Sequence, residues 1–277
     1  MCGIDEWVRE NKYMSDYLFQ KITSELGEHS DVIERVSLFL GGEALLDNKL
    51  ERRISSLLNK KIKNVYFTTN ASLLDCDRAK KILESGVTQV DISIDSLNRE
   101  VYEKIRVHLK FDEVLENTLQ FVKLRNEGDY KTRIRIRITE MLCNKHEIEQ
   151  MINFWNEILD ISKGDLVYAK SLNTTFISSN INDSKFSFIG VNEYLDNFSS
   201  CNLLPCYALW NTAVIFSDGR VGMCCVDMGR NFIFGDLKRQ TLEDVWRNSE
   251  TLLSIRAKHL KEGRGSIEVC KNCNVWA

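Results

Sequence analysis

Cys270-Lys-Asn-Cys273 forms a C-x2-C pair, and Cys206 and the doublet Cys224-Cys225 stand upstream as the other half of a four-thiolate site. Thiolates so spaced suit tetrahedral zinc or an iron–sulfur cluster, and composition by itself favours zinc. The chain carries nine cysteines, at 2, 76, 143, 201, 206, 224, 225, 270 and 273. In a reducing compartment such thiols are core residues, redox groups or metal ligands. Cys76 and Cys143 lie near expected helix starts and read as small buried hydrophobes or incidental thiols rather than ligands. The four histidines, at 29, 108, 146 and 259, are scattered and form no metal constellation.

A second set of polar signals recurs upstream: Gly41-Gly42-Glu43, Thr68-Thr69-Asn70 and Asp95-Ser96. Two glycines let backbone groups approach a ligand without a Cβ in the way. Glu43 adds a carboxylate suited to an ammonium group, so a zwitterionic amino-acid ligand fits. Each signal also has a local reading: Gly-Gly as a plain turn, Asn70 as an Asx-turn or cap, Asp95 as a helix N-cap.

The elements that must position these groups follow from periodicity. Arg35–Leu40, Asn64–Thr69, Gln89–Asp95, Thr132–Thr139 and Asp165–Ser171 read as β-branched strands. Residues 47–60, 75–85, 111–127 and 144–159 carry apolar positions at helical spacing and read as crossover helices. The alternation predicts an α/β fold of βα units around five parallel strands, and it places the polar signals at strand C-terminal ends, where α/β folds put their sites. In Asp91-Ile92-Ser93-Ile94-Asp95, and in Arg133, Arg135 and Arg137 between Ile134, Ile136 and Ile138, polar and aliphatic residues take opposite faces. In a barrel the aliphatic face turns outward to the helices and Asp91, Ser93, Asp95, Arg133, Arg135 and Arg137 point into a charged lumen. An open sheet with a partly solvated polar face is the alternative.

With 277 residues the chain is long enough for two domains or one with an appendage. We place a βα domain over 1–173, a linker over the Ser-, Asn-, Asp- and Phe-rich 174–200, and a small cysteine-rich α+β module over 201–277. Apolar residues are 43% and charged residues 28%, which excludes disordered and fibrous classes. Lys plus Arg is 37 against 40 Asp plus Glu, net −3, so no electrostatic footprint points to nucleic acid or to a membrane surface. No run reaches the ~20 apolar residues of a membrane helix, and the N-terminus lacks a signal-peptide pattern, so a cytoplasmic setting is expected. Trp155, Trp210 and Trp246 read as packing residues, and no Ser-His-Asp, Walker-type or dinucleotide fingerprint is present.

Taken together, Gly41-Gly42-Glu43-Ala44, Thr69-Asn70-Ala71, Ser93-Ile94-Asp95 and Tyr102-Glu103-Lys104-Ile105-Arg106 resemble the radical S-adenosylmethionine (radical SAM) superfamily over residues 34–170. Ala44 stands where that family usually has Pro, and Ala71 where it usually has Gly. The resemblance implies a partial (β/α)6 TIM-like barrel. It implies that Gly41, Gly42 and Glu43 hold the methionine amino group of SAM and that Thr69, Asn70, Ser93 and Asp95 line its pocket. Arg106 is a further SAM-binding candidate, and Arg135 and Arg137 are candidates for a SAM or substrate carboxylate.

The family's C-x3-C-x2-C motif holds a 4Fe–4S cluster that chelates SAM, and Met1-Cys2-Gly3 matches its close. The resemblance therefore implies Cys2 as third ligand, with the first strand and the first two cysteines expected before residue 1. That leaves the Arg35–Leu40 strand as an exposed sheet edge.

Cys206-x3-Trp210, Ser217-Asp218-Gly219-Arg220-Val221-Gly222-Met223-Cys224, Phe234-Gly235-Asp236-Leu237, Leu242-x3-Trp246, Arg256 and the closing C-x2-C resemble the SPASM/twitch extension of radical SAM enzymes. This likeness tips the thiolate site from zinc to one auxiliary 4Fe–4S cluster on Cys206, Cys224, Cys270 and Cys273, with Cys225 and Cys201 as alternates. Asp218-Gly219 reads as a hairpin turn whose strands present the cysteines. The implied activity is reductive SAM cleavage to a 5′-deoxyadenosyl radical that abstracts hydrogen from a peptide, sugar or other small polar substrate, with a flavodoxin or ferredoxin as electron donor. A non-catalytic protein of the same fold and a zinc-stabilised interaction scaffold are the alternatives.

Overall fold

The computed structural model describes residues 13–172, 203–227, 229–271 and 273. Cys2, Cys201 and the 174–200 segment lie outside the described residues. The chain divides into two compact units, one spanning Leu26–Leu172 and the other joining the described residues up to Glu25 with those from 203 onward. The sequence reading had counted residues 16–25 with the βα domain.

The first unit holds a parallel sheet in the order β1 (Val36–Ser37), β2 (Val65–Thr69), β3 (Gln89–Ser93), β4 (Arg133–Glu140) and β5 (Leu166–Ser171). Every neighbour pair is parallel. The connections are α2 (Leu50–Asn59), α3 (Cys76–Glu84), α4 (Arg99–Ile105) with α5 (Phe111–Glu127), and α6 (Ile148–Ile158). This is the expected partial barrel of βα units. β1 is shorter than the expected Arg35–Leu40: its ladder is two residues, extended by Leu38 N–H donating to Tyr66 O at 2.8 Å. Among the described residues it pairs on one side only.

Face alternation sets where the core lies. On β4, Ile134, Ile136 and Ile138 are fully buried while Arg133, Arg135 and Arg137 are half-buried. With Val65, Phe67, Val90 and Ile92 they form the apolar face that the helices cover, using Leu50, Ile54 and Leu57, Ala79, Ile82 and Leu83, Val114, Phe121 and Val122, and Met151 and Trp155. Side-chain caps begin two of these helices: Asp75 accepts from Arg78 N–H for α3, and Asn98 from Glu100 and Val101 N–H for α4. Asp95 is therefore not a helix N-cap.

Helix α4 escapes the periodicity analysis because it is only seven residues long. Its Tyr102 is a core residue, tilted against Phe111 with ring centroids 5.5 Å apart, and burial pushes its hydroxyl pKa up to about 12.

At the N-terminal ends of β4 and β5 sits a fully buried ion pair. Arg125 of α5 forks onto both oxygens of Asp165 and donates to Thr132 O at 2.8 Å. Asp165 also accepts from the N–H groups of Ile134 at 2.8 Å and Asp160 at 3.0 Å. One carboxylate thus ties α5, β4 and the turn into β5.

The second unit contains α1 (Asp16–Glu28, of which residues through Glu25 cluster here), α7 (Ala208–Asn211), the antiparallel sheet β6 (Val214–Ile215), β7 (Arg220–Gly222) and β8 (Ile233–Asp236), then α8 (Leu242–Asn248), α9 (Glu250–Glu262) and α10 (Glu268–Lys271). β6 and β7 form the expected hairpin, with Gly219 at φ +92° and its N–H on Phe216 O at 2.9 Å. Helix α1 joins this unit through Lys21, whose ammonium donates to Gln240 O at 2.7 Å, and Glu25, which accepts from Leu242 N–H at 2.7 Å. Among the described residues no helix is long and apolar enough to cross a membrane.

Removing one partner of a buried pair strands the other charge. Asp165→Ala is expected to lower unfolding stability by about 3–5 kcal/mol in a denaturant titration. A loss below about 1 kcal/mol, the range of exposed pairs, would show that the pair does not hold the strands together.

Candidate functional site

The loop after β1 places both its glycines in the left-handed region, Gly41 at φ +60° and Gly42 at φ +131°. No heavy atom lies within 4 Å of where a Gly42 Cβ would stand, so the pair is demanded by backbone conformation and leaves open space beside the chain. That open cradle fits a ligand held by main-chain groups.

Glu43 turns across to the next strand. Its Oε1 accepts from Thr69 Oγ1 at 2.6 Å and Leu45 N–H at 3.0 Å, and its Oε2 accepts from Asn70 N–H at 2.8 Å. Three donors fix the carboxylate, and a carboxylate has capacity for about four. Asn70 forms an Asx-turn, Oδ1 accepting from Ser72 N–H at 2.9 Å. Ala71 sits in the left-handed region at φ +59°, the conformation for which the family's glycine is suited.

At the end of β3, Asp95 is fully buried and held from three directions. Arg106 approaches Oδ2 with Nη2 at 2.6 Å and Nε at 2.7 Å. Thr139 N–H donates to Oδ1 at 2.8 Å. Asn144, also fully buried, donates to the main-chain carbonyls of Asp95 at 2.6 Å and Thr139 at 2.8 Å. One layer earlier, Ser93 Oγ accepts from Arg137 Nη2 at 2.9 Å. Gly41, Gly42, Glu43, Thr69, Asn70, Ser93 and Asp95 thus stand at the C-terminal ends of consecutive parallel strands, where a sheet of this kind presents ligands, and Arg106 reaches them from the end of α4. Arg135 lies deeper, opposite Asp91 in register. The sequence reading did not assign Asn144. Its only signal is an Asn just after a strand, and its partners depend on how β3 and β4 end beside one another.

In the second unit the described thiols gather. Cys206 feels the charge of Cys273, Cys270 that of Cys206 and Cys273, and Cys224 that of Cys225 and Cys270. Cys270 and Cys273 are buried, Cys206 and Cys224 half-buried, and Cys225 exposed. Burial pushes the Cys206 thiol up, the Cys270 thiol to about 12 and the Cys224 thiol higher still. Among the described residues no three His, Cys, Asp or Glu side chains converge on a single-ion site. Each of these four thiols lies near at least one of the others, and thiolate is the ligand that an iron–sulfur cluster takes.

Two residues the sequence reading passed over support this group. His259, fully buried, accepts the Cys206 N–H on Nδ1 at 3.2 Å. Arg264, also buried, donates to Cys273 O at 2.7 Å and lowers the Cys206 and Cys270 thiols against the effect of burial. Neither has a sequence signal, since His259 lies 53 residues from its partner. Trp155 and Trp246 pack as expected, Trp246 beneath the Arg256 guanidinium at 4.4 Å. Trp210 does not: the residue is 37% exposed.

The profile of the "Radical SAM superfamily" matches residues 2–154, and that of the SPASM "Iron-sulfur cluster-binding domain" matches 206–274. A "Probable GTP 3',8-cyclase" of Methanocaldococcus jannaschii is 30% identical over 118 residues, 43% of this chain and 38% of that protein. The "S-adenosyl-L-methionine-dependent 2-deoxy-scyllo-inosamine dehydrogenase" of Niallia circulans is 35% identical over 86 residues, 31% of this chain and 33% of the relative. The matched segments thus span little more than a third of these relatives. In fold, anSMEcpe solved with bound AdoMet superposes with a TM-score of 0.63 at 15% identity, covering 96% of this chain and 81% of that one. Streptococcus suis SuiB gives 0.63 at 17% identity, covering 100% and 69%. The chain belongs to the radical SAM superfamily, whose cofactors are SAM and 4Fe–4S clusters, and its C-terminal module is a SPASM iron–sulfur domain.

Proposed function

We propose that this chain belongs to an enzyme that binds SAM at the C-terminal ends of β1–β4 and uses it to abstract hydrogen from a small polar or peptide substrate. The observation that carries the reading is the Gly41–Gly42 cradle locked by Glu43 to Thr69 and Asn70. In this reading Gly41, Gly42 and Glu43 bind the SAM amino group, while Thr69, Asn70, Ser93 and Asp95 line the pocket. Asp95 holds Arg106 at its rim in a fixed orientation. SAM and its cluster, when bound, supply one-electron chemistry that no side chain here provides; the protein supplies binding, orientation and exclusion of water.

Cys2 is the proposed ligand of the SAM-binding cluster, and Cys206, Cys224, Cys270 and Cys273 those of the auxiliary cluster, with Cys225 and Cys201 as alternates. A flavodoxin- or ferredoxin-type donor would deliver the electron, and a cytoplasmic setting suits oxygen-sensitive clusters and nine cysteines. The names of the cyclase and the inosamine dehydrogenase, a nucleotide and an aminated ring sugar alcohol, support a polar, hydroxylated substrate.

Anaerobic reconstitution of the full chain tests the metal assignment. We expect about four iron and four sulfide for the auxiliary cluster, lost in Cys270→Ala. Zinc without labile sulfide would overturn it. Alkylation of the reconstituted chain with iodoacetamide, read by mass spectrometry, should label exposed Cys76 and Cys225 at least about tenfold faster than Cys206, Cys224, Cys270 and Cys273. Protection of Cys225 with labelling of Cys224 would exchange the two as ligand.

Glu43→Ala removes the acceptor of three hydrogen bonds and should weaken SAM binding by at least about tenfold while leaving auxiliary iron intact. Equilibrium titration with SAM checks this, and an unaltered affinity would remove Glu43 from the pocket.

A further inference from the structure

The inner face of β3–β5 carries charge that the SAM pocket does not absorb. Arg135 and Arg137 are two residues apart on β4, so their side chains leave the same face about 7 Å apart. Arg135 stands opposite Asp91, and Arg137 between Ser93 and Tyr168 on the flanking strands. Arg137 spends one Nη–H on Ser93 Oγ at 2.9 Å. Among the described residues the Nε atoms of both arginines are shut off from solvent without a hydrogen-bond partner, and so is Thr68 Oγ1, which lies opposite Asp91 on the other side. Three orphaned polar atoms on one face mark a place built to be completed by something else, because buried polar groups are ordinarily partnered.

Charge points the same way. Asp91 is the carboxylate that both guanidiniums feel, yet burial raises its pKa and Gln89 already donates to its Oδ1 at 2.7 Å. One such group does not neutralise two permanent cations. The Tyr168 hydroxyl, raised chiefly by burial, feels Asp91, both arginines and Tyr66, so these groups lie near one another on the inner face. A guanidinium is a planar fork that matches the two oxygens of a carboxylate or phosphate.

We infer that Arg135 and Arg137 form a clamp for an oxyanion of the substrate, a carboxylate or a phosphate, on the inner face of β4, with Arg137 level with Ser93 and Arg135 one layer deeper. The inference rests on the proposed SAM site and adds the class of substrate: a molecule bearing an anionic group that points away from the strand ends, toward Asp91 and Thr68.

Calorimetric titration of the reconstituted full chain in low-chloride buffer, with inorganic phosphate, acetate and SAM in separate runs, tests it. Wild type should bind phosphate or acetate, and the tighter of the two identifies the oxyanion. Arg135→Ala should weaken that binding at least about tenfold while SAM affinity stays within about threefold. Asp91→Asn, which removes the competing carboxylate, should tighten oxyanion binding several-fold, a gain that a misfolded variant does not give. The clamp is overturned if neither oxyanion binds wild type, if Arg135→Ala leaves oxyanion affinity unaltered, or if SAM affinity falls in parallel, which would place Arg135 in the SAM pocket. Wild type that binds the oxyanion but not SAM would sink the SAM reading and keep the oxyanion site.

Discussion

Side chains on a strand alternate, so a parallel sheet that commits Ile134, Ile136 and Ile138 to its helices must carry Arg133, Arg135 and Arg137 on its other face. Much of the first unit follows from that constraint. The apolar face gains burial free energy against α2, α3, α5 and α6. The opposite face then holds buried and half-buried charges and hydroxyls, where each unpartnered group is costly. The inner side is accordingly tied by side-chain bonds, Gln89 to Asp91 along β3 and Arg137 to Ser93 across to β4, and the atoms these leave over are the ones available to a ligand.

The strand ends meet the same requirement with carboxylates. Glu43 joins the first loop to the end of β2, and Asp95 joins the end of β3 to β4 and to Arg106. A carboxylate accepting several N–H and O–H bonds fixes the donors as much as itself, and this rigidity is what a binding site on flexible loops needs. At the other ends of the strands, Asp165 and Arg125 play the corresponding structural part without facing a ligand.

In the second unit the problem is inverted. Four thiols are brought together while burial raises the pKa of Cys206, Cys224 and Cys270 and so favours their protonated form. Taking up a metal group therefore requires loss of protons, which couples cofactor binding to the order of this small module. Arg264 partly offsets the effect of burial, and His259 holds the Cys206 main chain. The strands of this unit are two to four residues long, so contacts such as these help to place the thiols.

The residue order alone was enough to read the five strands, the covered and uncovered faces, the hairpin at Asp218-Gly219 and the clustering of polar signals at strand ends, because each depends on periodicities of two or 3.6 residues and on turn chemistry that act over a few positions. It did not reveal that residues 16–25 join the C-terminal module, that Asn144 braces Asp95, that His259 serves Cys206, or that Arg125 reaches Asp165 40 residues away. Nor did it show which polar atoms of Thr68, Arg135 and Arg137 remain unpartnered. Those facts are properties of pairs distant in sequence. Register, burial and the direction of each side chain decide them, and these exist only once the strands are side by side.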